Sequence, residues 1–106
     1  MSNTHEKRKD VRLVFQAPLT VQWRSAGGAG TGTIGNMSRS GCYVMTRNPL
    51  PVGQQLVVRL GDLPEAEALI RRSDSQVGMG MEFVGLTREV DQKIADFLQA
   101  KAVVWA

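Results

Sequence analysis

The segment VGMGMEF, residues 77–83, decides the fold class, because its apolar side chains alternate with small or polar positions. A period of two is the pattern of a β-strand with one buried face. Gly78 and Gly80 share the opposite face, which indicates close approach by another backbone or by a ligand. Directly downstream the period changes to that of an amphipathic helix, with apolar residues at Val90, Ile94, Phe97 and Leu98.

This helix is predicted to run from about Arg88 to about Ala100. Thr87 is its expected N-cap, and the acidic Glu89 and Asp91 suit the positive end of the helix dipole. The sequence therefore predicts one helix after a series of strands.

Shorter alternating segments precede residues 77–83, with turn signals between them, at residues 19–23, 33–34, 42–46, 54–60 and 66–70. The glycine-rich run AGGAGTG, residues 26–32, is predicted to be a flexible hairpin loop. Roughly six strands followed by one helix predict a mainly β fold, a six-stranded antiparallel, Greek-key-like β-barrel with a C-terminal α-helix. Residues 77, 79, 81 and 83 face the expected core, which also includes Trp23 and Cys42, with Met37 and Met45 as further candidates.

Charge is unevenly distributed along the 106 residues. Residues 1–60 hold eight Lys and Arg against two acidic residues, a charge of +6, whereas residues 61–106 hold five against eight, a charge of −3. Four of the bases fall within residues 7–12, in an almost wholly polar N-terminal stretch. We therefore expect a flexible basic arm over residues 1–12 and a single domain over residues 13–106, with the front half facing an anionic partner.

The composition excludes several classes of site and location. One cysteine forms no internal disulfide, which favours a reducing cytoplasm, and one cysteine with one histidine falls short of a zinc site. No apolar run is long enough to span a membrane, and the N-terminus lacks the apolar region of a secretory signal. No paired carboxylates, nucleophile with a base, or metal cluster is visible, so we expect a non-enzymatic protein without a cofactor.

Two short motifs stand out together. Arg8-x-x-x-Arg12 lies just before the first strand, and Asn36-x-Ser38-x-x-Gly41 lies in the turn between two early strands. Each occurs by chance in many proteins, but their order and their placement on a small barrel with a C-terminal helix resemble the PilZ family. The resemblance spans roughly residues 6–100, and it includes the closing strand at residues 77–83.

The resemblance implies a receptor for cyclic di-GMP, a bacterial second messenger with two guanines and two phosphates. Its implied ligand-binding residues are Arg8, Arg12, Asn36, Ser38 and Gly41, with Lys7, Lys9 and Arg39 as candidate additional contacts that are equally well explained as solvated surface. Arginine is suited to such a ligand, because its guanidinium binds guanine O6 and N7 bidentately and grips phosphate through charge-assisted bonds. The Asn36 amide and Ser38 hydroxyl offer polar groups for a guanine edge, and Gly41 allows close approach of base or backbone.

The leading hypothesis is thus a signalling adaptor whose ligand changes a surface read by a downstream protein. One alternative is a PilZ-like interaction module that does not bind the nucleotide. Another is a small basic barrel that binds single-stranded nucleic acid, which the low aromatic content of 6% disfavours because such proteins stack bases on aromatic rings.

Overall fold

The computed structural model describes residues 13–14 and 19–101, which form short strands and one helix. The elements are β1 (Leu13–Val14), β2 (Thr20–Ser25), β3 (Gly28–Met37), β4 (Gly41–Met45), β5 (Gln55–Leu60), β6 (Ala66–Asp74), β7 (Gly78–Val84) and α1 (Arg88–Lys101). Residues 1–12, on which the predicted arm and the RxxxR motif fall, lie outside the described residues.

Six of these strands form a closed antiparallel barrel. Hydrogen-bonded neighbours follow the order β3, β2, β5, β6, β7 and β4, and the pairing of β4 with β3 closes the ring. β1 lies outside this ring and pairs with Asn36 and Met37 at the end of β3, beyond the residues that pair with β2. The predicted six-stranded antiparallel barrel with a C-terminal helix is confirmed.

The core is built by the alternation seen in the sequence, because every second side chain of each barrel strand points inward. Buried residues include Val21, Trp23, Ile34, Met37, Cys42, Val44, Leu56, Val58, Ala68, Ile70, Met79, Met81 and Phe83. α1 adds the buried side chain of Ile94, and Val90, Phe97 and Leu98 pack against the same core. Thr87 caps this helix, since its Oγ1 accepts a hydrogen bond from the Val90 amide at 3.2 Å.

Three local predictions are wrong. The glycine-rich run at residues 26–32 is mostly strand, because the turn takes only Ala26 and Gly27 and β3 begins at Gly28. Two of its glycines, Gly30 and Gly32, leave room for the indole ring of Trp23 inside the barrel. The two outliers from the expected core are Met45, 47% exposed on the outer face of β4, and Val77, 59% exposed in the turn before β7.

Candidate ligand-binding site

The second motif, predicted to lie in a turn, lies there only in part: Ser38 is in the turn between β3 and β4, whereas Asn36 belongs to β3 and Gly41 begins β4. The Ser38 amide donates to the Gly41 carbonyl at 2.8 Å, and the Ser38 hydroxyl accepts from the Ser40 amide at 3.3 Å. Ser38 is fully buried, and its hydroxyl lies 3.2 Å from that of Ser40. Because a serine oxygen that binds a nearby backbone amide stabilises a turn, Ser38 holds the shape of this loop.

Gly41 allows β4 to approach β7 closely. A Cβ on Gly41 would overlap the carbonyl oxygen of Met81 and would lie 3.2 Å from the Cα of Glu82. Both neighbours are backbone atoms, which cannot rotate away as a side chain does. The motif glycine is therefore required by the packing of two barrel strands.

Two β-bulges shape the outer face beside this turn. One lies between Ile34 and Asn36 on β3, and the other lies between Ile70 and Arg72 on β6. The second bulge leaves both Arg71 and Arg72 exposed, although neighbouring residues of a regular strand point to opposite faces. Bulges re-aim side chains and are common next to functional sites.

The residues that follow the two bulges belong to one row across four strands. Asn36 pairs with Tyr43, Tyr43 with Gly80, and Gly80 with Arg72. Since neighbouring strands are about 4.8 Å apart, this row spans roughly 14 Å of the outer surface. The row is long enough to present several groups to one nucleotide-sized ligand.

A shallow depression of about 500 Å³ lies along this row. Its lining residues are Asn36, Ser40, Gly41, Cys42, Tyr43, Arg71, Arg72, Gly80, Met81 and Glu82. The volume falls within the range of about 300–1,000 Å³ that is usual for small-molecule sites.

Hydrogen-bonded pairs order the polar groups of this depression. The Tyr43 hydroxyl donates to Asp74 Oδ2 at 2.7 Å, and Arg72 Nε donates to the same oxygen at 2.9 Å. The hydrogen bond to Asp74 and then burial raise the pKa of Tyr43, and the same hydrogen bond is the main cause that lowers the pKa of Asp74. Arg71 Nε donates to Glu82 Oε1 at 2.7 Å.

The ligand-binding residues predicted from the sequence do not all lie in this depression. Asn36 and Gly41 line the depression, whereas Ser38 lies buried beneath the turn. The guanidinium of Arg39 donates to Asp91 on α1 at 2.9 Å, so the motif turn is tied to the helix. Arg8, Arg12, Lys7 and Lys9 lie outside the described residues.

Sequence reasoning missed several polar residues of this surface, among them Tyr43, Arg71, Arg72 and Asp74. The adjacent arginines at the end of a predicted strand were a usable signal, because two neighbouring charges there require a bulge or a strand end. The alignment of Tyr43 with Asn36 and Arg72 carried no sequence signal, since it depends on the pairing of strands distant in the chain.

A larger depression of about 720 Å³ lies elsewhere on the barrel, around the ends of β2 and β5. Arg24, Gln55, Val57 and Glu67 are among its lining residues, and none of the motif residues that the structure describes, Asn36, Ser38 and Gly41, lines it. Arg24 on its rim is engaged by Glu65 through two hydrogen bonds, at 2.6 and 3.0 Å. Its size alone does not make it the better candidate, because its arginine is already engaged and none of the described motif residues lines it.

Within residues 13–14 and 19–101, no helix is long and apolar enough to cross a membrane.

Comparison with known proteins points to one family. The family model described as PilZ domain matches residues 6–100, and no protein with a curated description matches the chain. The fold is similar to that of K. pneumonia MrkH in its c-di-GMP complex, with a TM-score of 0.74, 19% identity and 91% of this chain covered. It is also similar to the Bacillus subtilis inhibitor of motility MotI/DgrA, with a TM-score of 0.71, 21% identity and 92% covered.

The chain spans about half the length of these two proteins, since it covers 52% of MrkH and 51% of MotI/DgrA. The PilZ domain of Escherichia coli YcgR with c-di-GMP is matched over 92% of both chains, with a TM-score of 0.67 and 13% identity. At these identities the likeness to solved structures shows the fold alone.

Proposed function

Because this chain belongs to the PilZ domain family, we propose that it is a receptor for cyclic di-GMP, with Arg8, Arg12 and the depression beside Asn36 as its binding site. Structures of the same fold with c-di-GMP bound, those of MrkH and of the YcgR PilZ domain, support this choice of ligand.

The pairing of β1 with the end of β3 carries the proposal. Leu13 pairs with Met37 and Val14 pairs with Asn36, so the chain enters the barrel alongside the second motif. Arg12 directly precedes Leu13, and consecutive Cα atoms are about 3.8 Å apart. β1, which directly follows Arg12 in the sequence, is therefore paired with β3 beside Asn36 at the edge of the depression.

The chemistry of these groups suits a dinucleotide with two phosphates. Arg8 and Arg12 supply guanidinium groups for guanine edges and phosphate oxygens, and Asn36 supplies an amide from the barrel side. Each charge-assisted hydrogen bond contributes about 1.5–3 kcal/mol, so the loss of either arginine weakens binding about tenfold or more. Ser38 and Gly41 act by holding the turn and the strand spacing that shape the site.

We assign the protein a regulatory, non-enzymatic role. Ligand bound between the basic segment and the barrel stabilises the arrangement in which they are in contact, and this changes the surface offered to a downstream protein. The contact of Arg39 with Asp91 gives the motif turn a direct connection to α1. The proposal therefore includes this helix in the surface that a partner contacts.

Isothermal titration calorimetry with cyclic di-GMP tests the proposal. The wild type is expected to bind at micromolar or lower concentration, and Arg8→Ala and Arg12→Ala are each expected to weaken binding about tenfold or more. Arg59→Ala is the matched control, because β5 lies across the barrel from β4 and the same charge is removed. Absence of heat with the wild type would instead favour a module that does not bind the nucleotide. Equal affinity in all variants would mean that neither Arg8 nor Arg12 contributes to the binding site.

A further inference from the structure

The aromatic ring of Tyr43 packs against the outer surface of the barrel, next to glycines of the two neighbouring strands. A Cβ on Gly78 would lie 2.6 Å from its Cε2 atom, and Cβ atoms on Gly80 and Gly35 would each lie 3.6 Å from its Cδ atoms. A side chain at Gly78 would therefore displace the ring, whereas the distances at Gly80 and Gly35 correspond to ordinary van der Waals contact. Tyr43 is only half-buried, so part of this residue remains accessible to solvent.

The hydroxyl group fixes the orientation of this ring. It reaches across β7 to Asp74 at the end of β6, whose carboxylate is also held by Arg72. The backbone fixes one end of the Tyr43 side chain and the hydrogen bond to Asp74 fixes the other. The ring therefore loses little conformational freedom when a ligand binds on it, and such preorganisation favours binding. The close contact of the ring with glycine and the bond to Asp74 thus build a rigid, flat, apolar surface.

This surface lies between the groups most suited to a nucleotide. Tyr43 is paired with Asn36 on one side, and Arg72 lies beyond Gly80 on the other, in the same cross-strand row. The Arg72 bonds to Asp74 use its Nε atom, so the terminal nitrogens extend over an outer face where this side chain is 72% exposed.

We propose that Tyr43 is the stacking surface for one guanine base of cyclic di-GMP, with Asp74 and Arg72 as positioning residues for its ring. The inference rests on the proposed function and adds to it a contact that neither sequence motif contains. A purine has a flat π-face, and base stacking on an aromatic side chain contributes a factor of about 5 to 140 in affinity, equivalent to about 1–3 kcal/mol. Asn36 lies beside the stacked base, where its amide can reach the base edge.

Two substitutions separate the ring from its hydroxyl. Tyr43→Leu retains an apolar side chain but removes the aromatic face, and it is expected to weaken binding of cyclic di-GMP about 5- to 140-fold in calorimetry. Tyr43→Phe retains the ring and loses only the bond to Asp74, so its affinity should stay within about threefold of the wild type. Thermal melting of both variants checks that the barrel remains folded.

A spectroscopic readout distinguishes stacking from a structural role. Tyr43 is the single tyrosine of the chain, so tyrosine-labelled protein gives one set of ring signals in NMR. A guanine stacked on the ring shifts these signals upfield at saturation with cyclic di-GMP. Unmoved ring signals, or a Tyr43→Leu affinity equal to that of the wild type while Arg8→Ala and Arg12→Ala lose affinity, would overturn this inference alone. A wild type without binding would overturn the proposed function as well.

Discussion

Substitution of Gly41 by alanine tests whether the motif glycine serves the packing of the barrel. The new Cβ would overlap the carbonyl oxygen of Met81, with the carbonyl carbon at 3.1 Å and the Cα of Glu82 at 3.2 Å. Because all three atoms belong to the backbone of β7, relief requires that β4 and β7 separate at the start of their ladder.

The expected cost follows from two opposing effects. Overpacking of a well-packed site costs about 1–3 kcal/mol, and the rigid obstacle here places Gly41→Ala near the upper end. Replacing glycine by alanine lowers the conformational entropy of the unfolded chain, which stabilises the folded state by about 0.4–1 kcal/mol. The net loss of unfolding free energy is about 2 kcal/mol, or a melting temperature lower by about 8–16 °C for a domain of this size.

Urea unfolding followed by the fluorescence of the buried Trp23 measures this loss. Gly27→Ala is the matched control, because the nearest atom to its Cβ, Ser25 Oγ, is 3.9 Å away and the backbone of Gly27 is not in the left-handed region. The control should be as stable as the wild type or slightly more stable. If Gly41→Ala were equally stable, strand packing would not be the reason for glycine at this position.

Three further predictions follow from the polar contacts. Asp74→Asn removes the carboxylate that raises the pKa of Tyr43, so this pKa should fall in an absorbance titration of the single tyrosine; an unchanged titration would contradict the hydrogen bond. The pKa of Glu65 is lowered by its hydrogen bonds and ion pair, so its contribution to stability is present above about pH 4.5 and is lost as the pH falls further. Glu65→Gln should therefore show a smaller drop in melting temperature between neutral and acidic pH than the wild type. Arg39→Ala removes an exposed ion pair with Asp91 and should lower the unfolding free energy by less than about 1 kcal/mol, whereas a larger loss would mean that the helix depends on this contact.

Much of the fold was predictable because apolar residues recur at every second position in its strands and at every third or fourth position in its helix. The alternation of Met79, Met81 and Phe83 and the stripe from Val90 to Leu98 each correspond to one buried face of an observed element. Where the prediction failed, packing between distant residues decided the outcome. The glycines at residues 26–32 were predicted to form a loop, but Gly30 and Gly32 belong to a strand, and the ring of Trp23 packs over them inside the barrel.

The candidate site was predictable only in part. Asn36 and Gly41 were found because their motif is local in sequence, and both line the depression. Tyr43 and Arg72 were missed because the bulges and cross-strand pairs that align them depend on the register of the closed sheet. Gly78 and Gly80 were predicted to allow close approach of another backbone or a ligand; at Gly78 both the carbonyl oxygen of Val44 and the ring of Tyr43 approach closely, and the same ring lies next to Gly80.

The most direct test of the central claim is a titration of the isotopically labelled full chain with cyclic di-GMP, followed by the backbone amide signals in NMR. The account predicts that the largest shifts occur at Asn36, Gly41 and Tyr43, together with Arg8 and Arg12. Shifts centred on the larger depression, at Arg24 and Gln55, or no shifts at saturating nucleotide, would contradict it.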